Sequence, residues 1–220
     1  MEEPINGWAR RNNGVTLTKS YQMEKRAFIK TTLLAAGALL MPRKSRALEF
    51  YPTEKNGEWA ILYGTWCGSS RDASIWISEG MNGIANVFDV RENPDLSGYK
   101  HLIVGGSIRS GVTSKDLQDY LTKHKDLLAQ KIRGYFAVCG NMRQPVTEEQ
   151  YHNFFNNHLC KLTGVENGAQ RVFLGRVTFG LMEPDVRKQM QSMPGMEEYD
   201  NLKRAECMAF GREFIEKRGS

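Results

Sequence analysis

From Glu58 onward, short apolar runs alternate with amphipathic stretches. The run EWAILYG (58–64) ends in glycine and reads as a strand. In SRDASIWISEGM (70–81), Ala73, Ile77, Gly80 and Met81 recur at helical spacing, with Ile75 and Trp76 widening the apolar face. IANVFDV (84–90) is strand-like again, and Asn93-Pro94-Asp95 marks a turn. HLIVGG (101–106) is apolar without a break, the pattern of a strand buried on both faces. A helix is predicted over 115–128, with Leu117, Tyr120, Leu121, Leu127 and Leu128 on its apolar side. GYFAVCG (134–140) predicts a fourth strand, and the capping-box pair Thr147 and Gln150 starts another helix. RVFLGRVTF (171–179) predicts a fifth strand. Residues 199–218 predict a closing helix built on Leu202, Ala205, Cys207, Ala209, Phe210 and Phe214.

Strands that alternate with helices imply a parallel sheet covered on both faces. Five of them fit an α/β, doubly wound sheet of order 2-1-3-4-5 with helices on both faces. Residues 58–220 make one domain of ordinary size, and 48–57, with Pro52 and Asn56-Gly57, read as a linker.

The first forty-seven residues follow a different rule. Lys25, Arg26 and Lys30 precede a modest apolar run (33–41), and Ser45 and Ala47 suit the small-x-small requirement of signal peptidase. The run falls far short of the roughly 20 residues that span a bilayer as a helix. An export signal over 1–47 is expected, leading to the periplasm or cell envelope, with Met1 or Met23 as the start. No transmembrane span is expected in the mature chain.

Charge sharpens this division. The first forty-seven residues hold nine of the 30 Lys and Arg but three of the 25 Asp and Glu, leaving the remainder near neutral. A domain without a basic surplus lacks the means to neutralise phosphates along a nucleic acid, so no nucleic-acid partner is expected. Cys67, Cys139, Cys160 and Cys207 form no C-x-x-C pair and no zinc spacing, and the four histidines are scattered. No metal is expected.

In an open parallel sheet, ligands collect beyond the carboxyl ends of the strands. Three unusual loops fall there. The first holds Gly64, Thr65, Trp66, Cys67, Gly68, Ser69 and Ser70, between a strand and a helix start. Its hydroxyls, its glycines and the free N–H groups of the helix suit a phosphate. The second holds Gly105, Gly106, Ser107, Ile108, Arg109, Ser110 and Gly111. The third holds Cys139, Gly140, Asn141 and Met142.

The stretch ILYGTWCGSS resembles the flavodoxin phosphate loop, Ser/Thr-x-Thr-Gly-x-Thr/Ser, with Thr65, Gly68 and Ser70 matching and Cys67 where a Thr is usual. DLSGYKHLIVGGSIRSG resembles more narrowly the flavodoxin-like domains of menaquinone-dependent protoporphyrinogen oxidases, and RVFLGRVTF resembles their fifth strand. The likeness runs over roughly residues 58–180. Glu24, Lys25, Arg26, Ala27, Phe28, Ile29 and Lys30 resemble a twin-arginine signal, with Lys25 in place of the first arginine. The resemblance implies export of a protein that is already folded, as such signals often carry proteins with a cofactor bound in the cytoplasm.

The resemblance implies FMN. Its phosphate would sit on Thr65, Gly68, Ser69 and Ser70, and its ring between the loop of Ser107, Ile108, Arg109, Ser110 and Gly111 and that of Cys139, Gly140, Asn141 and Met142. The flavin would carry the electrons, so no catalytic acid or base is expected. The partner would be a redox protein or a quinone-type small molecule. Trp66 either shields the ring or caps the helix, and Arg109 either favours the reduced, anionic flavin or pairs at the surface. Cys67 and Cys139 fall in two loops expected to converge and are small packing residues, a disulfide pair or redox-sensitive thiols. Two other readings stand beside this one. One is a flavodoxin fold that binds a partner without cofactor. The other is a thiol oxidoreductase on Cys67, although the resolving position holds Ser70. The Met-rich segment 182–196 is either a contact surface for a partner or membrane, or a loop that covers the core.

Overall fold

The computed structural model describes residues 57–140 and 145–216. The expected export signal, nearly all of the linker, and Asn141 and Met142 lie outside the described residues.

Five strands form one parallel sheet: β1 (Trp59–Gly64), β2 (Ala85–Asp89), β3 (His101–Ile108), β4 (Ile132–Cys139) and β5 (Ala169–Leu174). Their order is β2-β1-β3-β4-β5, the doubly wound order that the pattern predicts. Side chains alternate across this sheet with period two. Ala60 and Leu62 face one core with Val104, Leu117, Tyr135 and Phe155, while Ile61 and Tyr63 face the other with Ile77, Phe136 and Phe210. The first core is closed by α2 (Lys115–Lys123), α3 (Lys125–Ala129), α4 (Glu148–Phe154), a π-turn (Phe155–Leu159) and α5 (Cys160–Thr163). The second lies under α1 (Ser69–Gly80) and α7 (Arg204–Glu216).

These last two helices touch through glycine. A Cβ on Gly80 would lie 2.1 Å from the Met208 carbonyl oxygen, and one on Gly211 would lie 2.1 Å from that of Ile77. The backbones approach as closely as they do because neither position has a side chain.

The boundaries depart from the pattern in three places. The helix expected over 115–128 breaks at His124, which closes α2 and opens α3, its ring 4.5 Å from that of Tyr120. The strand expected over 171–179 ends at Leu174, because β4 stops at Cys139 and offers nothing further to pair with. The Gly175 N–H donates to the Cys139 carbonyl at 2.7 Å, and Arg176–Val177 (β6) turns away to pair antiparallel with Tyr199–Asp200 (β7). The closing helix therefore starts at Arg204 rather than 199. Between β6 and β7 lie a 3-10 turn (Phe179–Leu181) and α6 (Pro184–Gln191).

Candidate functional site

At the carboxyl ends of β1, β3 and β4 the loops enclose a cavity of about 510 Å³. That is the volume of an ordinary small-molecule site. Trp66, Cys67 and Ser69 form one wall. Ser107, Ile108, Arg109, Ser110 and Gly111 form the next, and Val138, Cys139 and Gly140 close the floor.

The first loop is ordered from within. Gly68 takes the left-handed region (φ 85°), and its N–H donates to Thr65 Oγ1 at 3.0 Å. This turn delivers the chain into α1, and no side chain caps the helix start. The hydroxyl of Ser70, expected to hold a phosphate, is fully buried and hydrogen-bonded to Ser107 Oγ at 2.6 Å. It joins the first loop to β3. Ser69 Oγ accepts from the Arg176 N–H at 3.4 Å and sits 3.6 Å from Cys67 Sγ. Thr65, Gly68 and Ser70 thus stand behind the wall that Trp66, Cys67 and Ser69 present.

The second loop doubles back on itself. Arg109 and Val112 exchange both backbone hydrogen bonds, and Ser110 (φ 52°) and Gly111 (φ 84°) between them are both left-handed, as a type I′ turn requires. The Arg109 guanidinium lies 5.5 Å from the centre of the Trp66 ring, a cation–π contact between the first two loops. It also reaches Gln189 Oε1 on α6 at 3.5 Å. Trp66 is 39% exposed, so this contact forms the rim.

Cys67 and Cys139 border the same cavity, and no disulfide joins any of the four cysteines. Cys207 is fully buried, and burial pushes its thiol up to about 12; Cys160 is shifted in the same direction for the same reason. Neither is a reactive thiol. Among the described residues, no group of three or more His, Cys, Asp or Glu is placed to hold a metal ion.

Several site residues escaped the sequence reading. Gln150, Asn153 and Phe154 of α4 line one side, and Gly175, Arg176 and Val177 line another. Above them the segment between β6 and β7 forms a roof, in which Met182, Val186, Met190 and Met196 border the cavity. Their signal was present: residues 182, 186 and 190 are four apart in an otherwise polar stretch. Arg176 fastens the roof to the sheet. Its guanidinium hydrogen-bonds Asp72 in the first turn of α1 and lies 3.6 Å from Asp200 of β7. Tyr199 Oη adds a hydrogen bond to the Gly140 carbonyl at 2.5 Å.

Residues 60–202, more than half of the chain, match the family model described as a flavodoxin domain. The chain belongs to the flavodoxin domain family. Among solved structures, this flavodoxin domain is similar to oxidised flavodoxin 1 from Bacillus cereus, at 16% identity and a TM-score of 0.46, over 72% of this chain and 97% of that one. It is also similar to a Fusobacterium nucleatum flavodoxin bound to flavin mononucleotide, at 11% identity and a TM-score of 0.45, over 73% and 98% of the two chains. The flavodiiron protein from Giardia intestinalis is 8% identical with a TM-score of 0.43. The match covers 74% of this chain but spans only 36% of that protein's length. No curated protein matches the chain. No helix of the described residues is long and apolar enough to cross a membrane.

Proposed function

We propose that this flavodoxin-domain protein binds FMN in the cavity and works as an exported electron carrier or flavin-dependent oxidoreductase of the protoporphyrinogen oxidase-like branch. The observation that carries the reading is the convergence of the loops after β1, β3 and β4 on one cavity of about 510 Å³.

The chain's groups suit the cofactor. At the start of α1 the N–H groups have no intrahelical acceptor and no side-chain cap, which is where a helix favours an anion. Asp72 in the first turn opposes a second negative charge there, and its ion pair with Arg176 offsets it. Arg109 holds a positive charge at the rim, of the sign that favours an anionic reduced ring. The left-handed turn at Ser110 and Gly111 brings backbone, rather than bulky side chains, to the wall. The methionines of the roof turn an apolar surface towards the cavity and reduce its access to water. Bound there, FMN supplies the electron transfer, and no protein acid or base is needed for it.

Export rests on the pattern of residues 1–47, whose twin-arginine-like stretch suits a protein folded around its cofactor before leaving the cytoplasm. The narrower branch rests on the likeness of DLSGYKHLIVGGSIRSG. The purified full chain is expected to be yellow and, once stripped, to quench FMN fluorescence. A colourless protein that leaves FMN fluorescence unchanged overturns the reading. Oxidation of protoporphyrinogen with a menaquinone acceptor assigns the branch, whereas flavin reduction by a protein donor alone assigns an electron carrier.

A further inference from the structure

We propose that His158 is a positioning residue for the loop of residues 107–113: its neutral imidazole clamps Thr113, and protonation releases that clamp and weakens the grip on flavin.

The geometry fixes the state of the ring. Thr113 N–H lies 3.0 Å from His158 Nε2. A backbone amide only donates, so Nε2 carries its lone pair and the single ring proton of the neutral form sits on Nδ1. Thr113 Oγ1 lies 3.0 Å from the same nitrogen, and the Thr113 carbonyl accepts from Gln118 Nε2 of α2 at 2.7 Å. Every polar group of Thr113 is engaged, and the residue is only 1% exposed. It lies two positions beyond Gly111, so it anchors the returning arm of the turn that walls the cavity. His158 stands in the π-turn that interrupts the helix between Phe154 and Cys160. Such interruptions of a helix occur often at functional sites.

A proton on Nε2 would set two donors face to face. The Thr113 hydroxyl can turn to accept, but the amide cannot, and the loop loses one bond. The groups that hydrogen-bond the ring are the amide and hydroxyl of Thr113, and the Thr113 carbonyl is held by Gln118 of α2; none of them ionises. Among the described residues no charged side chain bears on its basicity, which burial alone lowers. The neutral clamp therefore holds above the ordinary histidine value of about 6.5 and is lost as pH falls through the lower value of the folded protein.

The affinity consequence rests on the FMN reading; the clamp itself does not. Nitrogen-detected NMR of the full-length apo chain is expected to show the Nδ1–H tautomer, with the Thr113 amide shifting along the His158 titration. An Nε2–H tautomer, or a Thr113 amide indifferent to that titration, overturns the clamp. FMN affinity is then compared between pH 8 and a pH below the His158 midpoint that the NMR titration gives, in the wild type and in His158→Gln, whose amide oxygen accepts from Thr113 without titrating. The wild type is expected to weaken about fivefold more than the variant, the worth of one neutral hydrogen bond. Parallel weakening reports only the titration of the flavin phosphate and overturns the positioning role. Should neither protein bind FMN at pH 8, the functional reading fails while the NMR arm still decides the clamp. Should the variant not fold, the wild-type titration decides it.

Discussion

Helices α1 and α6 both border the cavity, and they are held in opposite ways. Seven of the twelve residues of α1 are buried, and the helix lies against β1 on one side and α7 on the other. No residue of α6 is fully buried. Its connections are a 3-10 turn, a two-residue ribbon and the side chains of Arg176 and Arg109. The wall that would receive a phosphate is therefore part of the protein core, whereas the roof is an addition fastened at a few points. Preorganisation belongs where charge is bound, and local opening belongs where a ligand must pass.

The comparison is broken most severely at the glycine seam. Valine at Gly211 places a Cβ 2.1 Å from the Ile77 carbonyl oxygen, and backbone cannot yield as a side chain tip can. Separating α1 from α7 also loosens Phe210 and Cys207 in the core. Gly211→Val is expected to cost about 3 kcal/mol in a urea unfolding curve, a large part of the stability of an ordinary domain. A loss below 0.5 kcal/mol would mean that α1 is no better anchored than the roof.

How legible each part was follows from the same contrast. The five strands, their order and much of both cores were readable, because burial on two faces forces continuous apolar runs and burial on one face forces helical periodicity. Leu127, Ala205 and Ala209 of the expected apolar faces are nevertheless exposed, and Phe155 and Leu159 went unread. The loops of residues 64–70 and 105–111 stood out because their glycines and hydroxyls follow directly on strands whose carboxyl ends collect ligands in an open parallel sheet. The roof was readable only in part: Met182, Val186 and Met190 recur four apart, but nothing in that spacing places them over the cavity. Strand propensity carries RVFLGRVTF onward past Leu174, but pairing decides where a strand ends, and β4 has already stopped at Cys139. Nor does composition tell which hydroxyls remain available: Ser70 matched the phosphate motif, yet its side chain serves Ser107. His158, one of four scattered histidines, gained meaning only when the fold set it against Thr113.

Arg176 is where the two regions meet, so its loss sharpens the comparison. The guanidinium is 17% exposed and lies between Asp72 of α1 and Asp200 of β7. Arg176→Ala removes the cation that the two carboxylates share, leaving Asp72 only Arg71 at 4.0 Å. A hydrogen bond to a charged group contributes about 1.5–3 kcal/mol, and the expected loss is about 2 kcal/mol. Cleavage by a protease should then concentrate within residues 178–198, with the sheet left intact. Cleavage spread evenly along the chain would show that Arg176 supports the whole domain.

The smallest effect is expected within the roof itself. Met190 is only half-buried, on a helix with no buried residue, and it borders the cavity rather than either core. Truncating a fully buried methionine costs about 2–5 kcal/mol because a cavity is left behind, whereas a side chain that already faces open volume leaves no new one. Met190→Ala should therefore change the urea midpoint by less than about 0.5 kcal/mol. Its consequence should appear as faster FMN release, read by stopped-flow fluorescence, because the apolar cover is thinner. A destabilisation above 1 kcal/mol would place the roof within the cooperative core and erase the distinction between the two helices. An unchanged release rate would show that the roof closes over something other than the flavin.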